Sequence, residues 1–175
     1  MTDDAKTDDI GRVDAPATGE RVVPPENVAV EALVARGWTI AVAESLTAGA
    51  VTSRLCWCPG TEDRVLGGVV SYSTEAKRRV LGTRSPRVVS ADAALEMACA
   101  VRDLFAADVG LSLTGVAGPE RQEDQPVGTV FVAWSTPEGD DHRVLACAGT
   151  PEQIRRQAEQ RALTLLIEVL GAPPA

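Results

Sequence analysis

Three side chains stand out by type and scarcity: Ser45, Tyr72 and Lys77. The chain holds one tyrosine, one histidine and 15 arginines against two lysines. Lys6 lies in an acidic N-terminal stretch, so Lys77 is the one lysine of the remaining sequence. Arginine cannot act as a base, because its pKa lies above about 12. Lysine can, if burial or a helix N-terminus disfavours its ammonium form. Ser45 follows a short apolar run and precedes helical sequence, so it sits on a strand-to-helix turn. Such a turn presents a side chain at the open edge of an α/β sheet. The N–H groups of residues 45–49 could there face a developing oxyanion. Ala48 and Gly49 are small enough for close approach of a substrate. The simpler alternative is that Ser45 or Thr47 merely caps the helix.

The activating base must come from few candidates. His142 follows Asp140 and Asp141 at the start of a late strand, which argues against a Ser-His-Asp triad. A Ser-Lys arrangement remains, in which Lys77 takes the serine proton directly or through Tyr72. The simpler alternatives are an exposed Lys77 beside Arg78 and Arg79, and a Tyr72 that packs its ring and wets its hydroxyl. A third segment, Thr114 to Pro119, follows a strand and carries Gly115 and Gly118, whose backbone could contact a ligand or hold a phosphate.

These residues need a scaffold, and the sequence alternates between helical and strand patterns. Helices are expected over 26–36, 48–55, 75–81 with Thr74 as N-cap, about 90–107 with Ser90 as N-cap, and 151–170. Strands are expected over 39–43, 65–71, 109–113, 128–134 and 143–147. The segment 137–141 should turn the last two strands into a hairpin. Thr150 and Gln153 are spaced as a capping box. The implied fold is an α/β sandwich on a mixed sheet.

The net charge is −8, and residues 1–26 carry seven acids against three bases, half of that excess. Residues 1–25 read as a disordered acidic tail, 26–171 as one domain and 172–175 as a loose end. The charge argues against a nucleic-acid partner. The absence of a long apolar run argues against a membrane span. The acidic start lacks the pattern of a secretory signal, so a cytoplasmic protein with reduced thiols is expected. Cys56 and Cys58 are too close together for a zinc knuckle, and all four cysteines read as small buried hydrophobes.

Four ordered blocks resemble the CinA C-terminal domain family, the nicotinamide-nucleotide amidases. They are Glu44-Ser45-Leu46-Thr47-Ala48-Gly49, Ser71-Tyr72-Ser73-Thr74-Glu75-Ala76-Lys77, Thr114 to Pro119, and Pro126 to Val130. The resemblance covers about residues 27–170. It implies a three-layer α/β/α sandwich with a mixed, mostly parallel sheet of about five strands. It also implies hydrolysis of nicotinamide mononucleotide to nicotinate mononucleotide and ammonia, with Ser45, Lys77 and Tyr72 as the apparatus. No metal or cofactor is implied; a homo-oligomer is. The substrate would meet Thr47, Ala48, Gly49, Thr114, Gly115 and Gly118, with Arg155 or a partner subunit's arginine at its phosphate. The alternatives are an amidase for another small amide and a non-catalytic nucleotide-binding module. The sequence departs from the family in four places, one of them Thr74 where the family has Asn. Ala48 replaces a glycine, Glu120-Arg121-Gln122 stands where Asp-Gly-Gly is usual, and Gly149-Thr150-Pro151 replaces Gly-Asp-Arg. Activities of the additional N-terminal domain of longer family members are not implied.

Overall fold

The computed structural model describes residues 23–172. The expected tail therefore lies outside the described residues up to residue 22, as do the last three residues of the chain. The elements run α1 (Pro25–Arg36), β1 (Ile40–Glu44), α2 (Ala50–Cys56), β2 (Val65–Val70), α3 (Thr74–Leu81), α4 (Ala91–Phe105), β3 (Val109–Gly115), β4 (Thr129–Thr136), β5 (Gly139–Ala146) and α5 (Pro151–Val169). The five strands form one sheet in the order β2-β1-β3-β4-β5. β1 pairs parallel with β2 and β3, while β4 pairs antiparallel with β3 and β5. Four strands thus point one way and β4 the other, although the four pairings divide evenly between parallel and antiparallel.

Alternation along the strands sorts the core into two layers. Ile40, Val42, Leu111, Leu113, Val130, Val132 and Trp134 face α1, α2 and α5. Ala41, Ala43, Phe131 and Ala133 face the opposite side, covered by α4 with Leu81 of α3. Apart from Phe131 the sheet residues on this side are small, which lets α4 lie close on the sheet. A Cβ on Gly110 would come within 2.0 Å of Ala98 O and 2.8 Å of Arg102 Cβ. The next residue on that face, Ser112, donates its hydroxyl to Ala94 O at 2.6 Å. On the other layer Arg54 of α2 bonds Glu26 of α1 and Glu159 of α5, joining three helices.

Several boundaries differ from the sequence reading for identifiable reasons. α2 starts at Ala50 rather than residue 48, because Ala48 and Gly49 adopt left-handed backbone, with φ of 54° and 95°. Ser73, not Thr74, caps α3, accepting from the Ala76 N–H at 3.1 Å. β5 begins at Gly139, and the hairpin turn is only Pro137-Glu138. Its first residues are polar and exposed on an edge strand, so they carry no apolar alternation to read. The expected caps at Ser90 and Thr150 are present, the latter as a full capping box with Gln153.

Gly110→Ala should destabilise the protein by about 1–3 kcal/mol through overpacking. Urea unfolding measures this, and an unchanged midpoint would contradict the close approach of α4 to β3.

Candidate active site

The strand order places a switch point at β1. The chain leaves β1 for β2 on one side and returns to β3 on the other, so the loops after these parallel strands diverge. Ligand crevices of open α/β sheets form at that point, outside the carboxyl ends of the strands. Here Ser45 follows β1, Tyr72 follows β2, and Gly115 to Gly118 follow from β3. α5 starts at the same edge and brings Arg155 in its first turns. The resulting cleft has a volume of about 340 Å³ and is lined by Ser45, Leu46, Tyr72, Lys77, Gly118 and Arg155, among others. This volume is in the range of small-molecule sites.

Lys77 reaches the floor of this cleft and is only 2% exposed. Its Nζ lies 2.9 Å from Ser45 Oγ and 3.2 Å from the main-chain oxygen of Tyr72. No carboxylate forms an ion pair with it among the described residues. Burial pushes the lysine below its ordinary pKa, and the negative charge of Glu123 opposes that shift in part. A neutral amine can accept a proton from Ser45, which an ammonium cannot.

Ser45 is held from both sides. Its N–H donates to Leu113 O of β3 at 3.1 Å, and its hydroxyl meets Lys77. The Ala48 N–H returns to Ser45 O at 3.2 Å, and the Gly49 N–H goes to Glu44 Oε2 at 2.9 Å. The N–H groups of Leu46 and Thr47 donate to no group among the described residues. Of these two, Leu46 lines the cleft beside Ser45.

Glu44 is the residue whose role sequence reasoning missed. It is fully buried, and its carboxylate accepts from the N–H groups of Gly49, Val51 and Thr52 and from the Thr52 hydroxyl, at 2.6–3.2 Å. A side chain from the strand therefore caps α2, which has a glycine at its own N-cap position. The available signal was a charged residue ending an apolar strand, since a buried charge must be fully bonded.

The remaining expected site residues divide. Gly115, Gly118 and Arg155 line the cleft, and Arg155 makes no ion pair among the described residues. Thr114 does not line it. Its side chain is fully buried and donates to Val88 O at 2.7 Å, because residue 114 is still on β3. Thr47, Ala48 and Gly49 also lie off the cleft wall, with the Thr47 hydroxyl buried and unpartnered. The Tyr72 side chain lines the cleft but is 74% exposed, and its hydroxyl bonds to neither Ser45 nor Lys77. Its carbonyl is what reaches Lys77. His142 lies on β5, separated from β1 by two strands. Cys58 and Cys147 are buried, but Cys56 is exposed and Cys99 half-buried, so the cysteines are not uniformly core residues.

A model of the CinA C-terminal domain matches residues 24–170, and the chain belongs to that family. A CinA-like protein from Frankia casuarinae is 40% identical over 154 residues, covering 85% of this chain and 36% of the relative. A putative competence-damage inducible protein from Geobacillus kaustophilus is 40% identical over 151 residues, covering 82% of this chain and 36% of the relative. The chain thus spans about a third of the length of these relatives. Among solved structures, a CinA superfamily protein from Klebsiella pneumoniae superimposes with a TM-score of 0.80 at 35% identity, covering 84% of this chain and 96% of that one. One from Enterobacter cloacae gives 0.80 at 28% identity, covering 91% and 99%. The five-stranded α/β/α sandwich is the fold of this superfamily. No helix among the described residues is long and apolar enough to cross a membrane.

Glu44→Ala should cost about 2 kcal/mol or more, because several buried N–H groups lose their acceptor. Equilibrium unfolding tests this, and a cost below about 0.5 kcal/mol would show that α2 is capped by other means.

Proposed function

We propose that this chain is an amidohydrolase that converts nicotinamide mononucleotide to nicotinate mononucleotide and ammonia. The observation that carries the reading is the 2.9 Å contact between Ser45 Oγ and a buried Lys77 amine at the base of an open cleft. Membership of the CinA family and the nucleotide-sized crevice at the switch point support it.

Neutral Lys77 takes the Ser45 proton as Oγ attacks the carboxamide carbon. The carbonyl oxygen gains negative charge and is stabilised by the free N–H of Leu46, the residue of the turn that lines the cleft with Ser45. Lys77, now an ammonium, returns the proton to the amide nitrogen, and the C–N bond breaks to release ammonia. Water, deprotonated by Lys77, then attacks the acyl-Ser45 ester; the ester C–O bond breaks, Lys77 returns the proton to the departing Ser45 Oγ, and the acid is freed. The Tyr72 carbonyl orients Nζ throughout, so direct transfer from Ser45 to Lys77 replaces a relay through the Tyr72 hydroxyl. Arg155 is the cation within reach of a substrate phosphate at the cleft wall.

Ammonia release from nicotinamide mononucleotide, followed by a panel of small amides, tests the reading. Ser45→Ala and Lys77→Arg should each lower kcat by about a thousandfold or more while the fold persists. Full activity in Lys77→Arg would remove lysine as the base, and turnover of another amide alone would redirect the substrate. The pH profile has a defined sign. The active form has lost the lysine proton, so kcat/KM falls on acidification through the lowered pKa of Lys77. Its acid limb should therefore lie below the ordinary lysine range, and a limb within that range would contradict the mechanism.

A further inference from the structure

The cleft wall carries charges of both signs that are not spent on each other. Arg155 and Glu120 both line it, and neither forms an ion pair among the described residues. Nearby charges on the same loop are committed elsewhere. Glu123 accepts the Val89 N–H at 2.8 Å, Asp124 pairs with Arg87 at 3.1 Å, and Arg121 donates to Asp124 O. Gln122 and Gln125 close the turn at 122–125 through paired main-chain bonds, and Glu120 lies two residues before it, exposed at the cleft. Tyr72 is among the residues of the same cleft and is 74% exposed, so its ring is not spent on core packing. An aromatic face and a carboxylate together favour a cation, especially a flat delocalised one. Arg155 favours an anion.

We infer that Glu120 is a specificity-determining residue that, with the ring of Tyr72, selects substrates whose amide-bearing ring is positively charged. This rests on the amidase reading above and deepens it. A substrate with a cationic ring and an anionic phosphate satisfies both unpaired charges of the wall. A neutral-ring analogue leaves Glu120 without a partner. The carboxylate discriminates by charge, because the reduced 1,4-dihydropyridine form of the same mononucleotide differs little in shape and keeps both amide and phosphate.

The experiment uses the full chain with Ser45→Ala, which cannot turn over substrate, and calorimetric titration with oxidised and reduced nicotinamide mononucleotide. The oxidised form should bind about tenfold more tightly or better, the scale of one partly screened charge pair. Adding Glu120→Gln should reduce that preference to about threefold or less by weakening the oxidised form alone, and Glu120→Asp should retain most of it. In the active enzyme Glu120→Gln should raise KM with little change in kcat. A preference that survives Glu120→Gln, or no preference at the start, overturns the inference. Absence of ammonia release by the unsubstituted chain, with the binding preference intact, overturns the amidase reading and leaves the charge selection standing. Failure of both nucleotides to bind overturns both readings.

Discussion

A lysine with 2% of its surface exposed cannot carry its charge unsupported, and Lys77 has no carboxylate in ion-pair contact among the described residues. Its nearest polar atoms are Ser45 Oγ and the Tyr72 carbonyl oxygen. The amine is thereby pressed toward neutrality and aimed at a hydroxyl. The contact exists because β1 and β2 are adjacent and parallel, with Glu44 paired to Val70, so both chains leave the sheet at one edge. The Ser71 N–H donates to Glu44 O at 2.8 Å and locks the two exits together. α3 then returns Lys77 to the exit of β1.

This arrangement has a thermodynamic sign. Because the folded pKa of Lys77 is lowered, the unfolded chain binds its proton more tightly. At neutral pH the group therefore works against folding. Stability attributable to it rises as pH climbs from the folded value toward the ordinary lysine value. The surrounding structure offsets that cost. Glu44, also buried, is bonded by three main-chain N–H groups and one hydroxyl, so the turn bearing Ser45 is pinned where the lysine requires it.

Much of this was legible in the residues. A single lysine outside the acidic stretch, a lone tyrosine and a serine after an apolar strand pointed to one place, because scarcity is visible without a structure. The helices and inner strands followed from apolar period and caps such as Ser90 and Thr150. What escaped the sequence was geometry carried by main chain. The tyrosine at 72 contributes its carbonyl to Lys77 rather than its hydroxyl, and no side-chain pattern encodes that choice. The Gly-Pro motif after Thr114 gives that residue the look of a loop, yet β3 continues through Gly115 and buries the Thr114 hydroxyl. β5 starts early because ladder hydrogen bonds to β4 hold polar residues that carry no periodic signal. Three departures from the family pattern also gain a physical reading. Ala48 takes the left-handed backbone despite its side chain, Glu120 and Gln122 enter the cleft wall, and Thr150-Pro151 replaces charges with a helix cap.

The scarcity of lysine also supplies the most direct test. Selective ¹³Cε or ¹⁵Nζ labelling gives two side-chain signals, from Lys6 and Lys77. Titrating both by NMR reads the proton affinity of the amine itself, independent of any substrate. The account predicts that the Lys77 signal, identified by its loss in Lys77→Arg, titrates clearly below the ordinary lysine range and is perturbed by Ser45→Ala. A Lys77 signal that titrates in the ordinary lysine range would contradict the claim that burial against Ser45 lowers the proton affinity of this amine.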